Sequence, residues 1–143
     1  MSKNILKPEQ IAKLKKLKNA KLQALVGAFL ILKNPARWIK GSYATDKKGN
    51  GRTGVHSEAL NAKCFCTVGA LRRADFELYG DNADSSNGAE SILDKAVAKF
   101  TKGGQDEVIN FNDAEGTKHK DVLTLLGDVI RRESRGRIEA SAF

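Results

Sequence analysis

The chain has 143 residues, of which 41% are hydrophobic and 29% charged. Those values suit one globular domain, or one domain with a tail, and exclude collagen, low-complexity disorder and a disulfide scaffold. Lys and Arg number 25 against 17 Asp and Glu, a net charge of +8. The position of that charge matters more than its size. Residues 1–40 carry ten basic residues against a single acid, Glu9, whereas residues 41–143 carry 15 against 16. A basic segment on a near-neutral body points to an anionic partner.

Pro8 suits the first turn of a helix, where its missing N–H is not needed. Ile11, Leu14 and Leu17, then Leu22, Leu25, Val26 and Phe29, recur at helical spacing. The pattern predicts one helix from Pro8 to Lys33, with a kink or break near Asn19 where the step between leucines is five residues. Its first half is solvated and its second half buried. The apolar run Ala24–Leu32 is far short of the ~20 residues that a membrane span needs, so no membrane partner is expected. The segment from Trp38 to Asp46 reads as a short strand or compact turn, and Lys47–Gly54 as a loop with three glycines.

A second helix is expected to begin between Ser57 and Ala62, with Ser57 as N-cap, and to reach Ala74. Gly80–Gly88 is loop-like. Asn87 with Glu90 resembles a capping pair before Ile92, Leu93, Ala96, Val97 and Phe100, a third helix ended by Gly103-Gly104. Val108–Phe111 reads as extended. Thr117 opens a last helix with Val122, Leu125, Leu126, Val129 and Ile130 on one stripe and Arg131 and Arg132 in its final turn. The fold class is therefore mainly α: about four helices, with one or two short strands joining the Trp38 and Phe111 segments. The expected organisation is a basic helical extension over 1–21, a helical domain over 22–133 and a frayed tail over 134–143.

Several short blocks occur in order: Trp38-x-Lys-Gly41, Ala44-x-Asp46-x-x-Gly49, Cys66-x-x-Gly69-Ala-Leu71, Asn112-Asp113 and Asp121-Val-Leu123. They resemble a bacterial and phage family known only as a domain of unknown function, with W-x-x-G, C-x-x-G-A-L and W-N-D motifs. The resemblance covers about residues 22–131. Phe111 stands where that family has Trp, and the lysine-rich first 21 residues look like an addition. The resemblance implies a fold and a residue cluster, and no activity.

Cys64 and Cys66 lie one residue apart, too close for an unstrained disulfide. With no signal peptide, reduced thiols and a cytoplasmic location are expected. Cys66 near a helix start could be a nucleophile, with His56 or His119 as base and Asn112 or Asp113 orienting it. The opposing reading is core packing, in which the small Gly69 and Ala70 admit a neighbouring helix. Metal binding by both thiols and both histidines fails on geometry. Cys-x-Cys is not the usual zinc spacing, and helical residues two apart point about 200° apart. No metal or cofactor is expected. Trp38, Cys66, Asn112 and Asp113 make a candidate small-ligand pocket. Trp38 is otherwise a packing anchor, and Asn112-Asp113 otherwise a turn before the last helix.

The remaining candidates are cationic: Lys7, Lys13, Lys15, Lys16, Lys18 and Lys21, then Arg37, Lys40 and Arg52. On a helix Lys7, Lys18 and Lys21 share one face and Lys13 and Lys16 another. A merely solvated helix would mix signs. Lysine over arginine favours phosphate neutralisation over base reading, and six such contacts would give a salt slope near −5 on duplex DNA. Gly49–Gly54 lacks the Gly-Lys-Ser/Thr end of a phosphate loop. The expected function is a non-enzymatic binding protein with nucleic acid or an acidic protein surface as partner. The alternative is a ligand-binding or cysteine-dependent protein using Cys66, His119 and Asp113. Leu14, Leu17 and Leu25 could also pair two copies as a homodimer.

Overall fold

The computed structural model describes residues 4–80 and 86–143, without the Asn87 side chain. Residues 81–85 of the expected Gly80–Gly88 loop and the Asn87 side chain therefore lie outside the described residues; the helix already runs from Ser86, so Gly88 is not loop and Asn87 does not precede the helix. Six α-helices and one two-stranded sheet are present among them. The helix expected from Pro8 to Lys33 is two helices, α1 (Pro8–Lys15) and α2 (Ala20–Leu32). The reason is Asn19. Its side-chain oxygen accepts from the Lys21 and Leu22 amides at 2.9 and 3.3 Å, which starts a new helix. Gln23 then fixes the link by donating to the Leu17 carbonyl at 2.7 Å, and Tyr79 donates its hydroxyl to Gln23.

Asn34 caps a short 3-10 turn, Pro35–Arg37. Strand β1 (Ala44–Thr45) follows and pairs antiparallel with β2 (Cys64–Phe65). The second expected helix thus begins later than Ser57 or Ala62: Cys64 and Phe65 are strand. Helix α3 runs from Thr67 to Tyr79 with Cys66 as its N-cap. Tertiary pairing overrides helical spacing here. The Ile39 amide donates to the Phe65 carbonyl, and the Cys66 amide to the Tyr43 carbonyl. Ser57 caps nothing; its carbonyl and that of Ala59 accept from Arg73.

Helix α4 (Ser86–Phe100) ends in a turn where the Gly103 amide bonds to the Ala98 carbonyl at 2.8 Å, with Gly103 at φ +85°. Val108–Phe111 is not extended but lies in α5 (Val108–Asp113). Its β-branched residues suggest a strand, yet the Asp94 carboxylate of α4 accepts from the Val108 amide at 2.7 Å and supplies the missing cap. Helix α6 (His119–Glu133) starts two residues after Thr117.

Helix α2 is the central element, buried around nearly its whole circumference and packed on α3, α4 and α6. Its approach to α3 is close because Gly27 faces Ala74; a Cβ at Gly27 would stand 2.6 Å from the Ala74 Cβ. Leu14 and Leu25 are fully buried within the chain, so they offer no free stripe for the pairing of two copies. Ile5 and Leu6, ahead of α1, are tied down: the Glu77 carboxylate accepts from their amides and pairs with buried Arg73 at 2.7 Å. Residues 134–143 form a turn and a 3-10 segment, Ala140–Ala142, with Ala140 buried. No helix among the described residues is long and apolar enough to cross a membrane.

Candidate functional site

Three distant stretches of chain meet on Asn112, which is fully buried in α5. Its Oδ1 accepts from the Trp38 indole at 2.8 Å, from the Thr67 amide at 3.0 Å and from the Thr67 hydroxyl at 2.7 Å. Its Nδ2 donates to the Ile39 carbonyl at 3.0 Å and to Asp113 Oδ1 at 2.9 Å. Donors on one side and acceptors on the other fix the amide's orientation and use its full capacity. Asp113 in turn accepts from the Gly41 amide at 3.0 Å. Gly41 sits at φ +86°, a conformation that favours glycine. The Trp38-x-x-Gly41 and Asn112-Asp113 blocks are therefore two halves of one hydrogen-bonded joint. The Trp38 and Phe111 segments are held together by these side chains and not by a strand.

Gly69 also departs from expectation. It admits no helix but the backbone of the segment before β1: a Cβ there would lie 1.8 Å from the Tyr43 carbonyl oxygen. Cys66 is buried at the start of α3, where its sulfur accepts from the Gly69 amide at 3.4 Å. Burial pushes its thiol up to about 11, and the facing Asp113 carboxylate adds to the rise. A helix N-terminus alone does not make a thiolate when the site is dry. Cys66 and Asp113 do line one cavity, of about 150 Å³, with Gly41, Ser42, Tyr43 and Ile109. Trp38 and Asn112 lie behind this wall. His119 is turned elsewhere: its Nε2 meets the Leu32 carbonyl at 2.6 Å and its ring lies 5.9 Å from Trp38. His56 is exposed, and Cys64 is buried with its thiol on the Ala36 carbonyl.

Of the cationic candidates, Lys7, Lys13, Lys15, Lys16, Lys18 and Lys21 are all exposed, Lys7 just ahead of α1 and the others on α1, α2 and their link. Arg37, Lys40 and Arg52 serve the fold as well. They donate to the carbonyls of Lys63, Ala114 and Lys40, respectively, and Lys40 also lies over the Trp38 ring. Sequence reasoning missed Arg135 and Arg137. They flank Gly136 in the turn that ends α6 and share a cleft of about 310 Å³ with Lys18. The signal was present: Arg131–Arg137 holds four arginines in seven residues. A second groove beside it, sharing Glu133, carries Lys95, Lys99 and Arg132.

The model of a family of unknown function, DUF6197, matches residues 19–132. The chain belongs to this family. The DUF6197 match begins at the Asn19 cap of α2 and stops one residue before the end of α6. The Asn112 joint, Gly69 and the Cys66 cavity lie inside it. Lys18, Arg135 and Arg137 lie outside it, on the two flanking segments. No curated protein and no solved structure matches the chain.

Proposed function

We propose that this protein is a non-enzymatic binding protein that docks an anionic partner, a nucleic acid or an acidic protein surface, through its basic flanks. One observation carries the reading. The lysine-rich segment ahead of α2 and the arginine-rich turn after α6 are far apart in sequence yet share one cleft, lined by Lys18, Arg135 and Arg137. Concentrating like charge in a concave surface costs stability through self-repulsion, and an anion bound there would relieve it. Lys13 and Lys15 of α1 are exposed and add positive charge to this flank.

A salt-dependent titration against short duplex DNA, RNA and polyglutamate tests this. Replacing Lys13, Lys15, Lys16 and Lys18 with Glu is expected to abolish binding while leaving the helical circular dichroism intact. Unchanged retention on DNA and on polyglutamate would refute it.

A second reading has one specific support: Cys66 and Asp113 wall a cavity large enough for a small ligand. A protonated thiol and a carboxylate there favour a binding role over a cysteine nucleophile. A thermal-shift screen of small polar ligands tests it, with Asp113→Asn expected to abolish any shift.

A further inference from the structure

The cleft between the α1–α2 link and the end of α6 has more character than its charge. Its floor is aliphatic: Leu22 is buried, and Leu17 and Ile138 are half-buried against the core. Its rim is cationic, with Lys18 on one side and Arg135 and Arg137 on the other. Glu133 is the one acid on the lining.

Both walls are held in place. Arg135 and Gly136 adopt φ +56° and +77°, and the Gly136 amide closes on the Arg131 carbonyl at 2.7 Å. A non-glycine residue in that region is strained and persists only where its surroundings impose it. Here Ser134 imposes it, accepting at its carbonyl from the Arg137 amide and at its hydroxyl from the Ile138 amide. The opposite wall is pinned through Gln23 on the Leu17 carbonyl. The cleft is therefore preformed, which lowers the ordering cost of binding.

The lining decides between partners. Unpaired bases stack on aromatic side chains, and this cleft has none. A duplex backbone needs charge but makes no use of an aliphatic floor. An apolar floor beneath a basic rim complements an aliphatic side chain flanked by carboxylates. The volume of about 310 Å³ lies at the small end of ligand sites, suited to one short segment. We infer that this cleft seats a short acidic peptide segment of a partner protein, its aliphatic side chain on Leu17, Leu22 and Ile138 and its carboxylates on Lys18, Arg135 and Arg137. This rests on the anionic-partner reading and narrows it.

The test uses the full chain and labelled peptides read by fluorescence anisotropy at low salt. One peptide carries a central Leu flanked by Glu, a second has Ala in place of the Leu, and a short DNA duplex serves as comparison. The Leu peptide is expected to bind at least about tenfold more tightly than the Ala peptide, from burial of one aliphatic side chain. The surface variant Arg135→Glu/Arg137→Glu is expected to lose that preference and at least about tenfold in peptide affinity. Equal affinity for both peptides, or undiminished binding by the double variant, would overturn the cleft assignment. Binding of the duplex alone, sensitive to the α1 lysines, would overturn it too while sustaining the anionic partner. Failure of peptides, duplex and polyglutamate alike would overturn both.

Discussion

Removing the Asn112 side chain tests the joint that unites Trp38, α3 and α5. Asn112→Ala deletes one acceptor that serves three donors and one donor group that serves two acceptors. The Thr67 amide and hydroxyl are fully buried, and water has little access to replace the lost partner. Each orphaned buried group costs about 1–3 kcal/mol. The half-buried Trp38 indole recovers part of its loss from solvent. Two orphaned groups at Thr67, with a smaller contribution from Trp38, give an expected destabilisation of about 3–5 kcal/mol. Thr67→Val removes only one of the three donors and leaves Asn112 partnered, so about 1 kcal/mol is expected. Asn112→Asp keeps the acceptor but turns a buried negative oxygen toward the Ile39 carbonyl and Asp113. It should destabilise strongly at neutral pH and less so in acid, where the new carboxyl is protonated. Urea unfolding followed by the single tryptophan's emission measures all three, and that tryptophan is itself a member of the joint. A cost below about 1 kcal/mol for Asn112→Ala would refute the reasoning, since it would mean that the buried donors find other partners.

Further outcomes follow from the same geometry. Gly69→Ala forces a methyl into the Tyr43 carbonyl and is expected to lower the melting temperature by about 6–12 °C, from roughly 3 kcal/mol at 2–4 °C per kcal/mol, whereas Gly116→Ala, with open space around it, should be near neutral. Glu77→Ala removes the Glu77 carboxylate from buried Arg73 and the acceptor of the Ile5 and Leu6 amides; a loss of about 1–3 kcal/mol or more and faster amide exchange at residues 5 and 6 are expected. The folded chain holds the Cys66 proton more tightly than the unfolded chain, so its contribution is complete below pH 9 and declines as pH rises toward 11. Cys66→Ala should flatten that decline in a pH series of urea unfolding, and an unchanged slope would place its origin elsewhere.

Several elements were legible in sequence for definite reasons. Helix α6 shows a regular apolar stripe, and solvent on its other face makes that stripe visible. The break at Asn19 was foreshadowed by the five-residue leucine step and a residue type that caps helices. Two elements were not legible. The start of α3 is capped by Cys66, a residue with no capping preference, and is fixed by backbone bonds to residues 39 and 43. Helix α5 is six residues long, too short for periodicity to declare it or for local propensity to hold it, and depends on Asp94 from α4. Trp38, Asn112 and Asp113 could be singled out as residues of interest. Their chain separation hid the fact that Asn112 bonds both Trp38 and Asp113, and that of the three only Asp113 also lines the Cys66 cavity.

The sequence by itself determined the helical class, the segregation of charge into the first forty residues and membership of the DUF6197 family over residues 19–132. These are local or compositional properties, carried by spacing and residue type. Tertiary structure alone decided that Asn112 joins three segments, that Gly69 makes room for a carbonyl, and that Cys66 stays protonated. It also decided that Arg135 and Arg137 stand beside Lys18. Each of these depends on which surfaces are buried against one another, and burial sets both the cost of an unpaired polar group and the strength of a charge.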